Sequence, residues 1–263
     1  MRLKALTGRL ALCLFVAWVG LSLTGCALIR ELSFSPPLTD QQLSAVILQL
    51  KDQEAKVSSF FSQGTLLVKD WTWEAETQVL IVGLRNPFRV KVEITHGWGQ
   101  PILHMLVDRN RLEVLSFQEY KLYVGAFTPK ALSRFLPGEL DTDLIWAALR
   151  GYPGISPLTK TLSPGRNRIS FVDEKGEEIE TMDLQPEDLQ PVRVTYPKQH
   201  LHMEFADMKE IDGILFAGTV SVDSGMGGRK LSLLKDRMVF NKPIPPEIFT
   251  IEKPPNFTVV SLD

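Results

Sequence analysis

The chain has 263 residues, with 29 Lys and Arg against 31 Asp and Glu and a formal net charge of −2. That balance leaves no basic surplus to hold a nucleic acid. Hydrophobic residues make up 44%, enough for a full core, and two cysteines are too few for a disulfide-rich scaffold.

Leu10 to Ile29 is a run of 20 residues without a charge, preceded by Arg2, Lys4 and Arg9 and containing Leu23-Thr24-Gly25-Cys26. A basic start, an apolar middle and small residues before a cleavage point are the order of a bacterial signal peptide, here residues 1–25. The run is also long enough to cross ~30 Å of hydrocarbon, so an uncleaved anchor is the other reading. Leu-Thr-Gly placed directly before a cysteine serves no purpose in such an anchor. The tetrapeptide resembles the lipobox of bacterial lipoproteins, which implies that Cys26 becomes a lipid-bearing first residue. Either way, the remainder of the chain is expected outside the cytoplasm. Cleavage leaves 238 residues with a net charge of −5 and Cys26 as the only cysteine. That chain has neither an intrachain disulfide nor a thiolate zinc site.

Residues 26–38, with Pro36-Pro37, read as a tether, and a domain follows over 39–263. Thr39 and Gln42 have capping-box spacing, and Leu43, Val46, Ile47, Leu50 and Val57 recur at helical intervals, which predicts a helix over 40–57. From Phe60 the period changes to two. Trp71, Trp73, Ala75, Thr77, Val79 and Ile81 share one face of a strand, and Phe88, Val90, Val92 and Ile94 alternate with Arg89, Lys91, Glu93 and Thr95. Further strands are expected at 60–68, 101–107, 111–116 and 119–124, with a tight turn at Asp108-Arg109-Asn110. Short turns without intervening helices imply an antiparallel meander.

Thr128-Pro129 opens a short helix that Pro137-Gly138 ends, and a second helix spans about Asp141 to Arg150, closed by Gly151. Strands resume at 166–172, 178–184, 191–197, 200–206, 214–222 and 229–240, with turns at Gly213 and Gly225 to Gly228. From about 241, five prolines make the C-terminal extension extended and poorly laddered. The expected fold class is α+β: a strongly curved antiparallel sheet of about eleven strands, an unclosed half β-barrel, with helices covering its concave face. Such a sheet leaves a cavity between itself and the helices.

Three stretches carry a resemblance to the LolB family of outer-membrane lipoprotein receptors and, more loosely, to LolA-like periplasmic carriers. They are the lipobox, the segment Phe88 to Leu106 with Thr95-His96-Gly97-Trp98-Gly99-Gln100-Pro101 between its strands, and the run from Leu136-Pro137-Gly138 through Leu144-Ile145-Trp146 to Gly151-Tyr152-Pro153. The extension with Pro246-Glu247-Ile248-Phe249 is more like a LolA tail. The resemblance implies a half-barrel that shields the acyl chains of lipoproteins and aids their localisation to the outer membrane. It implies Trp71, Trp73, Val79, Ile81, Phe88, Val90, Val92, Ile94 and Trp146 as cavity lining. Trp98 matches the loop residue that such proteins push into the membrane, with an indole in place of an aliphatic side chain. The implied partners are lipoprotein acyl chains, the outer membrane at its periplasmic face and a LolA-like donor. A lipid-anchored monomer with no cofactor besides the covalent lipid on Cys26 is expected.

The inward aliphatics fit a solid core as well as a cavity, because alternation does not separate the two. His200, His202 and Glu204 fall on one face of an expected strand, yet no further ligand accompanies them and no metal site is assigned. No Gly-x-Ser-x-Gly elbow, His-Glu-x-x-His or phosphate loop is present, so an enzyme is not expected. The alternative function is a scaffold lipoprotein of an envelope complex, built on the same fold without lipid transfer.

Overall fold

The computed structural model describes residues 36–70, 72–155, 160–165, 167–225 and 229–262. The expected signal peptide, Cys26 and most of the tether lie outside these residues, as does Trp71. Helix α1 (Asp40–Ala55) begins at Thr39, whose hydroxyl accepts from the Gln42 backbone while the Gln42 side chain closes the capping box. It buries Val46 and Leu50, and it ends two residues before the expected boundary. Gln53 ties its last turn to the sheet, donating to the Gly213 carbonyl at 3.0 Å and accepting from the Leu215 N–H at 2.8 Å.

Six strands follow: β1 (Ser59–Lys69), β2 (Glu74–Leu84), β3 (Arg89–Thr95), β4 (Pro101–Asp108), β5 (Arg111–Ser116) and β6 (Lys121–Ala126). Two short helices interrupt the sheet, α2 (Pro129–Leu132) and α3 (Thr142–Arg150). The chain resumes with β7 (Lys160–Gly165), β8 (Arg168–Val172), β9 (Glu178–Leu184), β10 (Pro191–Tyr196), β11 (Leu201–Ile211), β12 (Ile214–Ser224) and β13 (Lys230–Phe240), and it closes with β14 (Thr258–Ser261). The strands form one sheet in the order β14-β6-β5-β4-β3-β2-β1-β13-β12-β11-β10-β9-β8-β7. Every ladder is antiparallel except β14 on β6, and the terminal strands β14 and β7 do not pair with each other. The sheet is therefore an unclosed half-barrel.

There are fourteen strands among the described residues, not about eleven. β7 escaped the pattern because it is an edge strand with a proline and mostly solvated positions, so it carries little alternation. β14 is four residues long at the end of a proline-rich tail. The tail is extended as expected but is not idle. Ile244, Phe249 and Ile251 cover Val82, Leu106, Phe61 and Leu80 on the convex face, and Phe257 covers Leu115 and Leu122. The β1–β6 wing is thus apolar on both faces, and the concave face carries the main core.

The joint between the two halves is the β1–β13 ladder, which runs from Phe60 opposite Phe240 to Lys69 opposite Lys230. Its register shifts at Gln63/Gly64, which leaves Asp236 as the extra residue of a β-bulge. A Cβ at Gly64 would stand 1.9 Å from the Leu234 carbonyl oxygen, so only glycine fits the close approach. Gly64→Ala is expected to destabilise the fold by about 1–3 kcal/mol, read as a lowered denaturant midpoint. An unchanged midpoint would mean that the joint yields freely at this point.

Candidate functional site

The bulge restores alternation, so Leu231, Leu233 and Lys235 before it and Met238 and Phe240 after it all face the concave side. Consecutive inward rows from β1 to β4 and from β12 and β13 then form the floor of a cavity: Leu66, Val79, Ile81, Val90, Val92, Ile94, Leu103, Met105, Val107, Val220, Val222, Leu231 and Leu233. Its roof is the α2–α3 segment, through Leu132, Phe135, Leu136, Pro137, Leu140, Ile145, Ala148 and Leu149. Among the described residues every lining side chain is apolar, and the cavity volume is about 120 Å³. A dry cavity of ~150 Å³ admits one benzene, so this cavity has room for a short piece of hydrocarbon.

The roof forms for local reasons. Thr128 caps α2, with proline at its first turn. The Asp141 carboxylate caps α3 by accepting from the Asp143 and Leu144 N–H groups at 3.0 and 2.9 Å, and Gly151 ends it at φ 89°. The segment is pinned at its two ends by backbone bonds, Phe127 N–H to the Asn110 carbonyl and Ala217 N–H to the Gly151 carbonyl, both 2.6 Å. Arg85 adds one polar tie, to Asp143 at 2.8 Å and to Glu54 at 3.2 Å. Between these ties the roof meets the sheet through apolar side chains.

Of the residues expected to line a cavity, Val79, Ile81, Val90, Val92 and Ile94 do so. Trp73 does not: it sits in the β1–β2 turn ahead of the strand and is 48% exposed, beyond the reach of the roof. Parity selects a face, but depth along the strand decides coverage. Phe88 and Trp146 also lie outside the lining. Trp146 is buried on another face of α3, with its ring 5.1 Å from Phe60, 6.5 Å from Phe88 and 5.5 Å from the Arg85 guanidinium. Sequence reasoning missed the β12 and β13 residues and the roof side chains. The alternation of Val220 and Val222 with Ser221 was a legible signal, but not which wall it faced.

Trp98 stands at the tip of the β3–β4 turn, 73% exposed, with its ring stacked on His96 at 4.4 Å. His200, expected on a strand with His202 and Glu204, instead sits before β11 in a left-handed conformation (φ 50°). The His202 ring bonds Thr195 at 3.0 Å, and Glu204 is held by Arg193 and Lys230 at 2.7 and 3.2 Å. Among the described residues no group of three or more His, Cys, Asp or Glu is placed to hold a metal.

One buried cation touches the C-terminal end of the roof. Lys235 follows Leu231 and Leu233 on the inward face of β13, its ammonium 3.4 Å from the Ala217 carbonyl beside Gly151. Burial pushes its pKa down from 10.5 to about 7. Between those values the unfolded chain binds a proton that the folded chain does not. The destabilisation is therefore fully present below about pH 7 and fades as pH rises toward 10.5. Lys235→Met is expected to raise the thermal midpoint at pH 7, with the difference from wild type shrinking toward pH 10. A difference that is constant with pH would contradict this assignment.

No family model and no curated protein matches the chain. Among solved structures it is similar to a DUF1329 family protein from Desulfovibrio piger, at 13% identity and a TM-score of 0.54, over 79% of this chain and 96% of that one. A LolA superfamily protein from Nitrosomonas europaea is similar at 11% identity and 0.52, over 79% and 97% of the two chains. A domain described as an outer membrane lipoprotein-sorting protein from Vibrio parahaemolyticus is similar at 10% identity and 0.51, over 77% and 95%. At such identities the likeness is one of fold. The chain has the half-barrel fold of LolA superfamily proteins.

Proposed function

We propose that this protein is an envelope lipoprotein of the LolB kind, anchored through a lipid on Cys26 at the periplasmic face of the outer membrane. It holds lipoprotein acyl chains and aids their localisation there, by binding and release without catalysis. The observation that carries this reading is the wholly apolar lining of the cavity under a roof pinned at its two ends. An exposed acyl chain costs ~0.8 kcal/mol per CH₂ in water, and a sheet-and-lid cleft removes that cost. Because the closed volume is about 120 Å³, a long chain enters only as the roof lifts from the sheet. The chain then covers the same aliphatic surface that the roof leaves, which offsets the cost of opening.

Val92→Glu and Ile94→Glu test the reading, since each puts a carboxylate into an apolar lining. Binding of a fluorescent acyl probe to the full chain is expected to fall at least tenfold in both. Saturable binding at wild-type affinity in both variants would remove the carrier reading and leave the scaffold alternative.

The membrane-facing part of the proposal rests on three hairpins. The β1–β2, β3–β4 and β5–β6 turns lie at the same end of the sheet, and each presents an exposed aromatic: Trp73 (48%), Trp98 (73%) and Tyr120 (58%). Indoles and phenols suit the bilayer interface. In a Cys26→Ser background that lacks the anchor, Trp98→Ala is expected to reduce vesicle binding several-fold. It should leave the thermal midpoint within about 2 °C, as for an exposed residue. Equal vesicle binding would take Trp98 out of the membrane contact.

A further inference from the structure

Helix α3 presents a second face to a second cavity. Ile145, Ala148 and Leu149 roof the acyl cavity, whereas Trp146 and Arg150, four residues apart and so neighbours on the helix surface, line a separate pocket of about 170 Å³. Two buried donors in this pocket have no acceptor. The Trp146 indole N–H and the Arg150 Nε–H make no hydrogen bond, and both residues are almost fully buried, at 3% and 1% exposure. The two terminal nitrogens of the Arg150 guanidinium each bond a carbonyl, of Tyr152 and of Gln53, which leaves Nε as its nitrogen without a partner.

Buried donors demand an acceptor, and the charges around the pocket restrict its kind. The lining holds four carboxyl side chains, Glu54, Asp141, Asp143 and Glu180, against two guanidiniums, Arg85 and Arg150. Arg85 is already bound to Glu54 and Asp143. An anion would meet this carboxyl excess away from bulk water, and a cation would face the two N–H groups. An uncharged carbonyl oxygen avoids both conflicts. We infer that this pocket is a binding site for the uncharged, carbonyl-bearing head of an amphiphile, an ester or an amide, with Trp146 and Arg150 as its hydrogen-bond donors. The inference rests on the acyl-carrier reading, because α3 separates the place for a tail from the place for its head.

The Trp146 indole resonance, assigned through the backbone of α3, reports on this site in the full chain kept soluble with an amphipathic polymer. The methyl resonances of Val92 and Ile94 report independently on the acyl cavity. N-dodecanoylglycinamide and glycerol monododecanoate, an amide and an ester head, are expected to move both sets of resonances. They should shift the indole proton downfield and slow its exchange with solvent, the tighter ligand telling amide from ester. Dodecane is expected to move the methyls alone, and dodecanoate to bind more weakly than the amide. In Trp146→Phe, which removes the donor and keeps an aromatic ring, affinity for the amide is expected to fall about tenfold, the size of one hydrogen bond, with dodecane affinity within about twofold. Methyl shifts with an unmoved indole would overturn the head-group site and leave the carrier reading intact. An indole that responds equally to dodecane would also overturn the head-group site, because a ligand without a carbonyl would then account for the shift. Methyls that respond to none of the ligands would remove the carrier reading, and the head-group site with it.

Discussion

The ladder between β1 and β13 is the constraint on which everything else in this molecule depends. It joins the first half of the chain to the second across more than 160 residues of sequence, from Phe60 opposite Phe240 to Lys69 opposite Lys230. Without it, β1–β6 and β7–β13 would be two separate curved ribbons, each with an apolar face exposed. With it, Val79, Ile81, Val90 and Val92 from one half share a cavity with Val220, Val222, Leu231 and Leu233 from the other. The bulge at Asp236 matters for the same reason. A side-chain period of two cannot absorb an extra residue, so the bulge lets Leu233 and Met238, five positions apart, both face the core.

A long ladder of this kind leaves an edge problem and a face problem, and the C-terminal segment addresses both. Its apolar residues Ile244, Phe249, Ile251 and Phe257 lie on the convex face of the first wing, where Leu80, Val82, Leu106 and Leu115 would otherwise meet water. Its last residues then pair with β6, so the edge at this end is the four-residue β14. At the opposite edge β7 has one partner, β8, and its proline and short length discourage further strand addition.

The roof differs physically from the sheet it covers. Strands are held by dense backbone ladders, whereas the α2–α3 segment is held by one backbone bond at each end, by the Arg85–Asp143 and Arg150–Gln53 ties, and otherwise by apolar contact, which is non-directional. Under the proposed function, that contact is exchanged for contact with a hydrocarbon chain. The second face of α3 follows a different rule. There Trp146 packs against Phe60 and Phe88 beneath the Arg85 guanidinium, and polar directionality takes the place of greasy adaptability. One nine-residue helix thus faces two environments with opposite demands.

Much of this architecture was legible before folding. The capping box at Thr39 and Gln42, the caps at Thr128 and Asp141, the glycine stop at Gly151 and the alternation of Val90, Val92 and Ile94 are local properties. They depend on neighbours within a turn or along one strand, so the chain states them directly. The half-barrel class follows from the order of those elements. What sequence could not settle was depth and partnership. Trp73 has the right parity but lies beyond the roof, Trp146 belongs to the other side of α3, and the β12–β13 wall comes from residues more than a hundred positions away. The outward apolar side chains of β2 blurred the alternation, because a tail distant in sequence covers them. Sequence determined which elements form and which face of each is apolar, since those are short-range consequences of side-chain spacing. Only the tertiary structure decided which faces meet and where a cavity remains, because both depend on a pairing register set between strands far apart in the chain.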